Sequence, residues 1–138
     1  HELGLQKEFK LIKVLQDSGM DVAIVGDMVT VSIPSILFFT PGSTQIQESQ
    51  KPALALLAKF VKAGARTVTS LHGYSSDLGS KEYQQDYAYD TAKAIEAALW
   101  VNGIAFSDMR VHGHGSENAV SKRADSLYNA RVEVRIQT

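Results

Sequence analysis

The chain has 138 residues, 44% apolar and 21% charged, with a formal net charge of −1 and no cysteine. That length suits one domain able to bury its own core, and the composition is that of a folded globular chain. It excludes a disulfide framework and thiolate chemistry, and near-neutrality removes the electrostatic basis for a nucleic-acid partner. No apolar run approaches the ~20 residues that cross a bilayer, so membrane attachment would come only through a signal or lipid anchor upstream of His1.

Residues 3–17 place Leu5, Phe9, Ile12 and Leu15 or Gln16 at helical spacing. That pattern predicts an amphipathic helix, with Gly19 as its stop signal. Val22–Val25 and Met28–Ile33 are β-branched runs on either side of Gly26-Asp27, which reads as a hairpin ended by Pro34. A second helix is expected over 48–63, with Leu54, Leu57, Ala58 and Val61 on one face, Leu56 and Phe60 widening it, and Gly64 closing it. Thr67–Leu71 reads as a strand. A long helix over 81–101 carries the stripe Ala88, Ala92, Ile95, Leu99. Met109–Gly113 and Arg131–Ile136 read as the last strands, and the polar Ser116–Tyr128 segment between them as a loop. The series implies an α+β fold, with helices stacked on one face of a mixed sheet. Residues 1–33 form an N-terminal helix-and-hairpin extension on a domain spanning 34–138.

The segment from Leu71 to Arg135 carries a set of motifs in order. Gly73-Tyr74-Ser75-Ser76-Asp77-Leu78-Gly79 opens it, and the helix through Tyr83, Gln84, Tyr87 and Thr91 follows. Gly113-His114-Gly115 and Asn129-Ala130-Arg131-Val132-Glu133 close it. This succession resembles the OmpA-like C-terminal domain, the peptidoglycan-associating module of Gram-negative envelope proteins, with its G-Y-T-D-x-x-G and N-R-R-V-E patterns. Ile36–Phe39 followed by Pro41-Gly42-Ser43 is similar to the family's F-x-x-G-S segment, in which an aromatic strand residue leads into a turn. The resemblance implies the β-α-β-α-β-β order over 34–138 and a periplasmic, non-catalytic role without a cofactor. It also implies a ligand pair, an aspartate for the ammonium and an arginine for the carboxylate of the diaminopimelate in the wall's stem peptide. This chain has Ser76 and Thr91 at those two positions. Hydroxyls supply no counter-charge, and charge-assisted bonds are the strong ones, so peptidoglycan binding is expected to be weakened or lost. The N-terminal portion is similar to lipoproteins of type IVB (Dot/Icm) secretion systems, which implies other outer-membrane or periplasmic proteins of a secretion complex as partners.

Several residues near this site invite alternatives. Asp77 and Arg131 are candidates to replace the missing pair, which would keep diaminopimelate binding as the main role; for Asp77 the competing role is helix capping. Tyr83 and Tyr87, four apart, offer a stacking edge, or pack against the loop before Tyr128. Tyr74, Gln84 and Asn129 complete the neighbourhood by their place in the family motifs. His112 and His114 project from one face of a strand, and His72 from its neighbour, so three imidazoles are within reach of each other. With no carboxylate at ligand spacing, rim histidines are the expectation and a metal is not. A small hydrolase built on Ser76, His72 and Asp77 lacks the Gly-x-Ser-x-Gly elbow, and those groups crowd one strand and turn.

Overall fold

In a computed structural model the described residues are 2–118 and 127–138. Five strands form one sheet in the order β1-β2-β5-β3-β4, where β1 is Asp21–Val25, β2 Met28–Pro34, β3 Thr67–Tyr74, β4 Arg110–Gly113 and β5 Arg131–Gln137. Alternation sets its two faces. Val29, Val31 and Ile33 of β2 and Val132, Val134 and Ile136 of β5 are buried, and Val31, Val134, Leu71 and Val111 align in one cross-strand row. The next row, Ser32, Glu133, His72 and His112, lies on the other face. All pairings are antiparallel except β3 with β4, which the helix between them joins as a crossover. The N-terminal hairpin is built into the sheet, because β2 pairs with β5 from Met28↔Gln137 to Pro34↔Arg131.

The helices cover the apolar face, as expected for an α+β fold of this order. Helix α1 spans Glu2–Asp17, α2 Ser35–Phe38, α3 Lys51–Ala63 and α4 Lys81–Val101. The stripe Ala88, Ala92, Ile95, Leu99 of α4 is fully buried, as are Leu57, Ala58 and Phe60 of α3. Burying each large side chain contributes about 1.5–3 kcal/mol. Gly73 in β3 allows this packing. A Cβ there would sit on the Ala88 carbonyl oxygen and 3.2 Å from Ala92 Cβ, so only glycine lets α4 approach so closely.

Two local expectations are corrected. Phe9 is 67% exposed, because α1 turns Leu11, Ile12 and Leu15 toward the core and leaves Phe9 one step round the helix. Ile36–Phe39 is not a strand. Ser35–Phe38 makes a single helical turn after Pro34, and only Phe39 bridges, to Ile46. Gly64 closes α3 as expected, at an ordinary φ of −97°, while Ala65 takes the left-handed φ of 51°. The Arg66 guanidinium folds back over Gly64, where a Cβ would require it to shift. The expected loop 116–128 is described only at 116–118, a turn, and at Leu127–Asn129, a short 3-10 helix; its centre lies outside the described residues.

Candidate functional site

A cavity of about 280 Å³ opens between the Ser35–Gly42 segment, the turn from β3 into α4, and Ala130 just before β5. Ser76 lines it, together with Ser75, Leu78, Tyr83 and Tyr87. No Asp, Glu, Lys, Arg or His is among its lining residues. Thr91, the other position of the expected pair, is elsewhere. It is fully buried in α4, and its Oγ1 donates to the carbonyls of Tyr87 (2.9 Å) and Ala88 (3.1 Å). The structure therefore brings one of the two hydroxyl positions to the cavity and seals the other inside the helix packing.

The cavity wall combines apolar surface with hydroxyls. Tyr83 is about half exposed and Tyr87 partly buried, and their rings lie 6.0 Å apart. Burial pushes the Tyr87 phenol above its ordinary pKa; the adjacent Ser35 hydroxyl offsets part of that shift, and the neighbouring Tyr83 adds to it. Ser35 Oγ is near the phenol without meeting the geometry of a formed hydrogen bond, and Ser75 Oγ has no partner either. Both serines are buried. Leaving a buried hydroxyl unpaired costs about 1–3 kcal/mol, so these two call for an explanation.

The proposed substitutes point away from this cavity. Asp77 is exposed, ion-paired with Lys81 at 3.7 Å, and accepts from Gln84 Nε2 at 3.3 Å. It does not cap α4. Ser80 does, accepting from the Tyr83 amide. Gln84 is buried and also donates to the Gly79 carbonyl at 3.0 Å, so it pins the turn that forms one wall. Arg131, the candidate cation, is buried, its side chain only 5% exposed. Its Nε donates to Glu133 and its two terminal nitrogens to the Asn129 and Asn118 carbonyls, each at 2.8 Å. Its guanidinium lies 4.0 Å from the centre of the Tyr74 ring. This arginine ties the backbone on either side of the 119–126 segment to the end of β5.

The three histidines do gather on the sheet face opposite the helices. His72 Nδ1 and His114 Nε2 share a hydrogen bond of 2.7 Å, and their nearly parallel rings meet edge to edge. His72 Nε2 also pairs with Ser70 Oγ at 2.9 Å. Burial, then Arg135, His114 and His112, lowers the His72 pKa from 6.5 to about 4, against a smaller rise from Glu133. Among the described residues no three His, Asp or Glu side chains are arranged to hold a metal ion. His72 faces away from Ser76, so the Ser-His-Asp grouping of a hydrolase does not assemble.

The sequence model of the OmpA family matches residues 38–132. The chain belongs to the OmpA family. It is 23% identical over 133 residues to the probable lipoprotein YiaD of Escherichia coli, covering 94% of this chain and 61% of the relative, so it spans under two thirds of that protein's length. It is 24% identical over 122 residues to the peptidoglycan-associated lipoprotein of Pseudomonas aeruginosa, covering 86% and 72%. Among solved structures, the cell wall anchor of the type VI secretion system from Pseudomonas aeruginosa superimposes with a TM-score of 0.78 at 18% identity, covering 93% and 96%. The periplasmic domain of Helicobacter pylori MotB gives 0.74 at 18% identity, covering 87% and 82%. At these identities the structural likeness establishes the fold alone. An OmpA-family domain is a structural module, not an enzyme.

Sequence reasoning reached the turn from β3 into α4, with Ser76, Tyr83 and Tyr87, and missed as site residues the Ser35–Gly42 side of this OmpA-family cavity and Ala130. Ala130 was the detectable one, because it stands where the family's closing motif has its first arginine.

Proposed function

We propose that this domain is a non-catalytic module of the Gram-negative periplasm, attached to the outer membrane through sequence outside the chain described. In this reading it serves as an envelope anchor or structural part of an outer-membrane secretion complex of the type IVB (Dot/Icm) kind. Peptidoglycan binding is weakened or lost, and the principal partners are other envelope proteins. The names of two relatives, a peptidoglycan-associated lipoprotein and a cell wall anchor, support the compartment and the anchoring role.

One observation carries the weakened grip: the cavity at the family position has no charged side chain in its lining. An ammonium and a carboxylate entering it would lose hydration without gaining a counter-charge. The test is co-sedimentation with purified sacculi, with and without free diaminopimelate. Retention close to the background of an unrelated protein is expected. Strong retention that free diaminopimelate abolishes refutes the reading.

A further inference from the structure

We propose that the free edge of β1 is a pairing surface for a second copy of this chain. The two β1 strands run antiparallel about a two-fold axis at Ala23, and the sheets of both copies become continuous. This pairing is independent of the cavity and of any grip on the wall.

Backbone geometry defines what this edge accepts. β1 closes one side of the sheet, with β2 as its neighbour. Gly26, at a φ of 59°, and Asp27 form a two-residue turn, and such a turn makes Val25 and Met28 a hydrogen-bonded pair. Alternation then commits the main-chain groups of Asp21, Ala23 and Val25 to β2 and turns those of Val22 and Ile24 outward. Outward amides and carbonyls at this spacing are matched by another extended strand. Natural edges are blunted by lysine, proline or a bulge; β1 has none of these, and its register with β2 is unbroken. The opposite edge strand, β4, carries the exposed Arg110 and His112.

Self-complementarity selects a second copy as the partner. Pairing about Ala23 sets Val22 against Ile24 of the second copy, so the outward groups of both residues exchange hydrogen bonds. It sets Asp21, the one charge on the strand, against Val25 and away from another carboxylate. The junction is apolar on both faces, with Ile24, 56% exposed, on the helix side and Val25, 78% exposed, on the other. Leu11 of α1 faces α3, and Phe9, 67% exposed, stands roughly opposite it on the same helix, away from α3.

Sedimentation velocity of the purified chain over a range of concentrations reads the association. A monomer–dimer equilibrium is expected, a weak one because a single strand pair buries less than a standard interface of about 1,600 Å². Ala23→Lys sets two like charges face to face across the axis and should abolish the dimer, as should Ala23→Glu. Position 23 is exposed, so both variants should keep the parent's circular dichroism. Mixing the two variants should restore a dimer, because in this register residue 23 faces residue 23. Ile24→Pro removes an outward N–H, leaves the β2 ladder whole and should also abolish the dimer. A parent that stays monomeric at every concentration overturns the proposal, and so does a dimer that Ala23→Lys or Ile24→Pro leaves intact. A mixture of the Ala23→Lys and Ala23→Glu variants that stays monomeric overturns the two-fold register.

Discussion

Replacing Arg131 with methionine separates a structural arginine from a ligand-binding one. Methionine keeps the apolar stem over Tyr74 and removes the guanidinium. Glu133, 18% exposed at its side chain, then keeps only Arg135 at 3.8 Å, and the Asn129 and Asn118 carbonyls each lose a donor. Breaking a buried ion pair from one side costs about 3–5 kcal/mol. Partial exposure of Glu133 and its second cation place the expected loss near the lower bound, at about 3 kcal/mol. In a chain of this size that lowers the thermal midpoint by about 10 °C.

Urea unfolding followed by circular dichroism measures the loss, and sacculus co-sedimentation at low temperature reads binding on the same variant. The expected outcome is a large drop in stability with sacculus retention still at the parent's level. Glu133→Gln in the Arg131→Met background should cost less than in the parent, since the two side chains act as one unit. A stability change below about 1 kcal/mol contradicts the buried-pair argument. Retention lost while stability is kept would make Arg131 the cationic arm of a working site.

Three further perturbations test separate links. Gly73→Ala should destabilise the fold by about 3 kcal/mol, because the added Cβ meets the Ala88 carbonyl backbone, which cannot move aside; a stability within error of the parent's refutes the close-approach reading. Thr91→Val should change stability by less than about 1 kcal/mol, since both carbonyls that its hydroxyl touches also belong to the helix ladder. It should also leave sacculus retention unchanged, and a shift there would return Thr91 to the site. The folded-state pKa of His72, about 4 against an ordinary 6.5, means that folding favours the neutral ring. Its stabilising contribution is complete above pH 6.5 and lost as pH falls toward 4, so the urea midpoint should fall over that window and fall less in His72→Gln. Parallel pH profiles for the two proteins would contradict this.

The helices were legible because their apolar stripes repeat at 3.6 residues; Ala88, Ala92, Ile95 and Leu99 needed no tertiary knowledge. Ile36–Phe39 was not legible. Four apolar residues are too few to show a period, and Pro34, which starts the turn of helix, equally well ends a strand. Arg131 and Glu133 alternate with the core residues Val132 and Val134 and so lie on the face away from the core. Sequence could not show that Asn118 and Asn129 come back over that arginine and bury it. The cavity was half legible. Its Ser76 side follows from the Gly73–Gly79 motif, whereas Ser35 and Ala130 reach it from segments far apart in sequence, brought together by the Pro34↔Arg131 pairing.

The shape of the cavity is held by residues outside its lining. Gln84 holds the β3–α4 turn through the Gly79 carbonyl, and Arg131 holds the opposite side through Asn118 and Asn129. Neither clamp involves position 76 or 91, so the cavity keeps its shape whichever side chains stand there. The two positions are unequal, however. Ser76 is at the cavity wall, where a polar exchange disturbs little packing. Thr91 is fully buried with its hydroxyl on the Tyr87 and Ala88 carbonyls, where an unpaired charge would lose its hydration. Burial thus disfavours a charge at position 91 more than at the half-buried wall position of Ser76.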